Sequence, residues 1–212
     1  MKTKKFLFYL LAGILGGCVP VMSLHPLFTE KDVVFDKKLL GTWVEDSNTT
    51  WEFSRSEETK NAYKLIYTYQ ENKDAKEKAK GLFIVRLIKL KNNLFLDVCP
   101  APWEQQDVNK IEWAYNTLFL IPAHTFIKIN SIEPQLKMLR TDDEKMREFL
   151  KADSNAVKHT VLEDKPVLTA STKELQAFVL KYADDSRVFT EAIVLGRKKT
   201  VEPNAPTTTK QN

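Results

Sequence analysis

Residues 81–90 read GLFIVRLIKL, and in this stretch only Arg86 and Lys89 are charged. Both faces of a strand built from these residues are therefore mostly apolar. Strands of this kind are buried on two sides, unlike strands that expose one face to water. We expect a helix, a partner protein or the inside of a closed barrel to cover the second face.

Further strands are predicted on either side of this run. In residues 62–70 the side chains of Tyr63, Leu65, Tyr67 and Tyr69 share one face, and mostly polar side chains lie opposite. The charged residues between these two strands, ENKDAKEKAK, predict a solvated hairpin connection. The other predicted strands are residues 41–43, 49–54, 94–99, 117–121, 123–130, 134–140 and 189–196. Short strands with mostly hairpin-length links are typical of an antiparallel meander or barrel.

The chain changes character after residue 140. Residues 142–151 carry apolar side chains at helical spacing. Ser171 and Glu174 form the capping-box pattern at the start of a second amphipathic helix, which we expect to run to about Asp184. The predicted fold is mainly β: an antiparallel meander or barrel with two amphipathic helices in its C-terminal part (α+β).

The N-terminus has the pattern of an export signal. A start containing three lysines precedes the apolar run FLFYLLAGIL at residues 6–15. The sequence LGGC that ends at Cys18 resembles the lipobox of bacterial lipoproteins. The resemblance implies cleavage before Cys18, acylation of this cysteine, and stable membrane anchoring through more than one acyl chain.

The alternative for this segment is an uncleaved membrane helix over residues 6–24, which contain no charged residue. Gly13, Gly16, Gly17 and Pro20 within it oppose a firm helix. Either way we expect a tethered protein of the bacterial cell envelope. Val19 after the cysteine favours the outer membrane, by analogy with Gram-negative lipoproteins.

The composition of the chain fits one globular domain, and its charge does not suggest a nucleic-acid-binding protein. The chain has 212 residues, 43% of them hydrophobic, and a formal net charge of +4. Without Lys2, Lys4 and Lys5 the basic residues fall from 32 to 29 against 28 acidic ones, a net of +1, so charge gives no support for nucleic-acid binding. We divide the chain into a leader (residues 1–17), a lipidated N-terminus and connector (18–38), one domain (39–197) and a disordered tail (198–212).

Gly41 and Trp43 on the first strand, together with the meander and the late helices, resemble the lipocalin arrangement. In that family the tryptophan closes the base of an eight-stranded barrel, and the other end opens to an apolar ligand pocket. The chain departs from the family in having two helices and an extra segment (156–170) between them. Residues 24–43 and the LTAST stretch at 168–172 also resemble uncharacterised bacterial lipoproteins. The resemblance to lipocalins implies a small apolar ligand, such as a lipid or fatty acid.

Strand parity and aromatic character select the candidate ligand-lining residues. These are Trp43, Trp51, Tyr63, Tyr67 and Trp103. Trp103 lies in the long connection PAPWEQQDVNKIEWAYN at residues 100–116, which we interpret as a helix that plugs the core, a lid over the barrel mouth, or a protein-contact loop. The same alternation of inward side chains serves a filled barrel and a ligand pocket.

Motifs that carry chemistry are missing from the sequence. It contains no nucleophile elbow, phosphate-binding glycine loop or dinucleotide fingerprint, and its three histidines have no metal-binding spacing. Cys99 ends an apolar run and is predicted to be buried and unreactive; nothing in the sequence places it beside His124 as a nucleophile pair. We expect no enzyme activity, metal or cofactor. The alternative to a ligand carrier is a non-catalytic envelope protein with a filled barrel that contacts a partner protein.

Overall fold

A computed structural model describes residues 20–70, 78–101 and 121–198 of the chain. Its strands are β1 (Met22–Ser23), β2 (Val33–Val34), β3 (Gly41–Val44), β4 (Thr49–Arg55), β5 (Ala62–Tyr69), β6 (Ala79–Leu90), β7 (Asn93–Pro100), β8 (Thr125–Ser131), β9 (Gln135–Arg140), β10 (His159–Leu162), β11 (Lys165–Leu168) and β12 (Glu191–Arg197). Its α-helices are α1 (Asp143–Ala152) and α2 (Thr172–Lys181), and short 3-10 turns span Glu30–Asp32 and Lys37–Leu39.

Eight of these strands form a closed antiparallel barrel. The seven strands from β3 to β9 pair in chain order, including β6 with β7. The last strand, β12, closes the barrel by pairing with both β9 and β3, so that Gly196 lies opposite Gln135 on one side and Val44 on the other. The predicted mainly β fold with two C-terminal helices is confirmed.

The two ends of the barrel differ in the length of their connections. At one end the strands are joined by short links at residues 56–61, 91–92 and 132–134. We call this the short-loop end. The links at the other end, the long-loop end, include residues 101–124 and the 141–190 segment that carries both helices. In an up-and-down barrel of this kind, one end can be closed while the loops at the other end vary.

Both helices pack on the outer wall of the barrel. Met146, Phe149 and Phe178 of the helices join one core cluster with Ile88 and Phe95 of the barrel strands. Burying one such side chain contributes about 1.5–3 kcal/mol. The expectation that another layer covers the second face of residues 81–90 is therefore confirmed, and along Ile88 and Leu90 that layer is helical.

The ordered body begins earlier than residue 39, where the sequence places it. We call residues 20–40 the N-terminal segment. Within it β1 pairs with β11, β2 pairs with β6, and Leu27 is fully buried. Strands of two residues have no periodicity to detect, and only their distant partners stabilise them.

Other boundaries also differ from the sequence-based ones. The extra segment at 156–170 contains the hairpin β10–β11, which turns at Glu163 and Asp164 with positive φ angles. Of the strand predicted over 117–121, only Ile121 lies within the described residues, and it is not in a strand. The leader, Cys18 and the tail beyond Lys198 lie outside the described residues.

Candidate ligand site in the barrel

The short-loop end of the barrel is sealed by the N-terminal segment. The 3-10 turn Lys37–Leu39 leads into β3, and Leu39 is fully buried there. The Trp43 indole Nε1 donates to the Leu39 carbonyl at 2.9 Å. The Arg197 guanidinium lies 4.2 Å from the centroid of the Trp43 ring and donates to the Leu40 carbonyl at 2.8 Å. Backbone groups, an aromatic ring and a cation thus close this end together.

Tyr63 adds a second contact between this end and the N-terminal segment. Its ring stacks on Phe35 with centroids 4.6 Å apart. Its hydroxyl donates to the Asp36 carbonyl at 3.0 Å and accepts from the Asp36 N–H at 2.7 Å. Burial raises the pKa of Tyr63 to about 12, so the phenol stays neutral. A tyrosine with both functions of its hydroxyl satisfied has a structural role.

The inward side chains become less buried toward the long-loop end. Trp51 is 8% exposed and meets Tyr67 edge to face, with centroids 5.3 Å apart. Its indole Nε1 donates to the Glu45 carboxylate at 3.1 Å. Tyr67 and Phe83 are only half buried, although both face the interior. Aromatic walls that are partly exposed at the mouth of a barrel are typical of small-molecule sites.

A few polar groups lie among these aromatic walls. Burial raises the pKa of Tyr67, and the Glu45 carboxylate raises it further, while Arg140 and the Thr49 hydroxyl lower it. The Thr125 hydroxyl is buried and has no hydrogen-bond partner among the described residues. Buried hydroxyls normally have a partner, so this oxygen is available to a polar group of a ligand or to water.

The structure brings four of the five predicted lining residues into the barrel interior. Trp43 and Tyr63 belong to the sealed end and have no exposed surface. Trp51 and Tyr67 lie nearer the long-loop end. Trp103 lies outside the described residues. Sequence reasoning missed Phe83, because residues 81–90 are apolar on both faces and alternation does not show which face points inward.

A buried contact between a carboxylate and a histidine lies outside the barrel, under the N-terminal segment. The Asp97 carboxylate is 2.6 Å from His124 Nδ1 through one oxygen and accepts from the Leu27 N–H at 2.8 Å through the other. The His124 ring therefore has a hydrogen-bond partner in the folded protein. The register of β7 and β8 pairs Val98 with Thr125, which directly precede Cys99 and follow His124, a proximity that the sequence does not reveal.

The environment of Cys99 does not activate its thiol. Cys99 is half buried, and burial raises the pKa of its thiol, with a further increase from the Asp97 carboxylate that Arg86 partly offsets. The nucleophile in cysteine chemistry is the thiolate, which is favoured by a nearby cation rather than a carboxylate. These contacts therefore argue against a nucleophile pair of Cys99 and His124.

In residues 20–70, 78–101 and 121–198, no group of three or more His, Cys, Asp or Glu side chains has an arrangement suited to a metal ion. Over the same ranges, none of the helices combines the length and apolar character needed to cross a bilayer.

Comparison with known proteins gives the chain no relatives. No family model, no curated protein and no solved structure matches it. Its class is therefore defined by its own fold, a closed eight-stranded antiparallel β-barrel with two helices on the outer wall.

Proposed function

We propose that this protein is an envelope lipoprotein, anchored through acylated Cys18, whose lipocalin-like barrel holds a small apolar ligand such as a lipid or fatty acid. The observation that carries the proposal is the asymmetry of the barrel interior. Trp43 and Tyr63 fill and seal the short-loop end, whereas Tyr67 and Phe83 stay half buried nearer the other end. An apolar ligand gains free energy by covering such aromatic surface.

The packing around Trp43 supports the lipocalin-like part of the proposal. Gly41 adopts a φ of 112°, a conformation that suits glycine, and a Cβ there would lie 3.1 Å from an Arg197 guanidinium nitrogen. The glycine therefore allows Arg197 to reach over Trp43. Gly41 and Trp43 are the residues on which the resemblance to lipocalins depends, and they act together at the sealed end.

The packing of residues 21–23 supports a cleaved leader. Met22 and Ser23 form β1, and Val21 is 3% exposed. These residues are part of the folded body, so a membrane helix cannot extend to Leu24 in the same structure. The apolar run that remains before Pro20 is shorter than the ~20 residues that a spanning helix needs. Location in the bacterial cell envelope, with the outer membrane favoured by Val19, follows from this part of the proposal.

The alternative is an envelope protein with a filled barrel, no ligand and a partner protein. The aromatic packing in the interior favours it: Phe53 lies 6.3 Å from Tyr63 and 6.4 Å from Trp51, centroid to centroid. If this packing continues to the long-loop end, no room is left for a ligand. Neither function is catalytic.

The test uses the full-length chain, produced with its leader in a bacterium and purified from membranes in detergent. Denaturing extraction and mass spectrometry identify any apolar molecule that leaves the protein, and native mass spectrometry measures its stoichiometry. The acyl groups on Cys18 stay covalently attached and are detected separately in the intact mass. We expect a stoichiometric ligand and an acylated Cys18.

A matched pair of variants locates the ligand. Phe83→Asp places a carboxylate in the interior, while Leu82→Asp places one on the outer face of the same strand at a similarly half-buried position. Burying a charge against an apolar ligand is costly, so we expect about tenfold or greater loss of ligand in the first variant and retention in the second. A wild-type protein free of ligand that also ignores fluorescent fatty-acid probes overturns the carrier function in favour of the filled barrel.

A further inference from the structure

The N-terminal segment enters the folded body at the long-loop end of the barrel. The Val21 N–H donates to the Thr141 hydroxyl at 3.3 Å, and Thr141 directly follows the end of β9 there. Ser23 exchanges two backbone hydrogen bonds with His124, just ahead of β8, at 2.8 and 2.9 Å. From this point the chain runs along the outer wall to the sealed end.

The position of Cys18 is therefore restricted. Cys18 lies three positions before Val21, and three residue steps span at most about 11 Å at ~3.3–3.6 Å per residue. Acyl chains on Cys18 must enter a bilayer within that distance of the long-loop end. The sealed end, which the chain reaches only at Lys37–Leu39, lies at the far side of the barrel.

The hairpin β10–β11 points toward the same side. Strand β11 is parallel to β1, with Met22 beside Val167 and Ser23 beside Leu168. The beginning of β11 therefore extends past Met22 in the direction of Cys18. Asp164, in the turn of the hairpin, precedes Val167 by three residues and lies ~10 Å beyond Met22 at ~3.3 Å per residue. The hairpin tip and the acylated cysteine therefore extend a similar distance beyond Met22.

Exposed apolar side chains concentrate at this side of the protein. Ile121 is 71% exposed, Leu162 59% and Val161 53%, and Met22 and Leu24 are about two-fifths exposed. Five of the six large hydrophobic residues that are exposed in the described part of the chain thus belong to the hairpin, to β1 and its successor, or to the connection that precedes β8. Exposed apolar groups of this kind mark sites of contact with a membrane or a protein.

We propose that the anchored protein turns the long-loop end of its barrel toward the bilayer, with the β10–β11 hairpin tip and Ile121 in the headgroup region. This inference rests on the proposed acylation of Cys18. The bilayer is the partner of this surface because the short segment that leads to Cys18 begins there. A ligand site at the same end then exchanges its ligand directly with the membrane, without passage through water.

The experiment uses the full-length acylated protein in vesicles of phosphatidylethanolamine and phosphatidylglycerol. An environment-sensitive fluorophore is attached to a cysteine introduced by Leu162→Cys, by Ile121→Cys, or by Glu57→Cys in a short-loop connection, each combined with Cys99→Ser. All three introduced positions are solvent-exposed, so labelling does not disturb the core. A quencher attached to lipid near the headgroups reports depth, since interfacial groups lie ~5–10 Å into the boundary.

We expect several-fold stronger quenching and a blue-shifted emission at residues 121 and 162, and emission typical of water at residue 57. Equal signals at all three positions, or stronger quenching at residue 57, overturn the orientation. The intact mass separates this failure from failure of the proposed function. An acylated Cys18 with equal quenching contradicts the orientation alone, whereas a chain without acyl groups contradicts the lipoprotein assignment, and the orientation with it.

Discussion

Arg197 joins the last barrel strand to the N-terminal segment. Its guanidinium covers Trp43, donates to the carbonyls of Lys38 and Leu40, and lies 3.7 Å from the Glu133 carboxylate. The planar guanidinium with several donors suits this set of partners better than the single ammonium of lysine does. One side chain of β12 thus binds the turn that precedes β3 at the sealed end.

Replacing Arg197 with methionine tests this role. Arg197→Met removes the cation–π contact and the two carbonyl hydrogen bonds, and we expect a loss of about 1–3 kcal/mol in the free energy of unfolding. Chemical denaturation followed by tryptophan fluorescence measures it. Lys137→Met is the control, because it replaces a basic side chain at an exposed position of the neighbouring strand β9. Equal stability of the two variants contradicts the role given to Arg197.

At the scale of a single element, α2 begins with a capping box that the sequence predicts correctly. The Ser171 N–H donates to the Glu174 carboxylate at 2.8 Å, and the Glu174 N–H lies 3.5 Å from the Ser171 hydroxyl. Lys158 Nζ contacts the same carboxylate at 2.8 Å. The hydrogen bonds from Lys158 and Ser171 lower the pKa of Glu174 from 4.5 to about 2. The cap is thus linked to the strand pair that precedes the helix.

This capping box predicts an acid-sensitive contribution to stability. Because the pKa of Glu174 is lower in the folded than in the unfolded state, its contribution is complete above pH 4.5 and is lost as the pH falls to about 2. We expect the melting temperature of Glu174→Gln to fall less steeply over this range than that of the wild type. Circular dichroism melts from pH 2 to 7 measure the difference. The exposed Glu148→Gln should follow the wild-type curve, and a Glu174→Gln curve parallel to the wild type refutes the link.

At the scale of the whole molecule, Asp97 holds three parts of the chain together. It lies on β7, accepts from Leu27 of the N-terminal segment, and pairs with His124 ahead of β8. Its side chain has no exposed surface. Removal of such an acceptor leaves buried donors without a partner, which costs more than the net value of the hydrogen bonds.

Two substitutions of Asp97 separate these contributions. Asp97→Ala leaves the Leu27 N–H and His124 unpaired, and we expect a loss of about 2–4 kcal/mol in the free energy of unfolding, together with faster tryptic cleavage after Lys31. Asp97→Asn keeps an acceptor for the Leu27 N–H and should lose less. Denaturant unfolding and timed proteolysis measure both effects. Similar cleavage rates in Asp97→Ala and the wild type contradict a role of Asp97 in holding the N-terminal segment.

The candidate site illustrates which features were predictable. The period-two alternation of side chains is a local property of a strand, so parity correctly places Trp43, Trp51, Tyr63 and Tyr67 in one interior. It does not distinguish the sealed end from the partly exposed one, because that depends on the path of the N-terminal segment. Likewise, only the register of the barrel shows that Phe83 faces the interior.

The sequence by itself determined most of the barrel strands, the two helices and the capping box, because each depends on residues within a few positions of one another. Only the tertiary structure decided how β12 closes the barrel, how residues 20–40 pack, and which group Asp97 binds. These contacts join residues far apart in the chain. Their free energy is gained only after the intervening loops have closed. The local pattern of the sequence does not specify which distant residues pair.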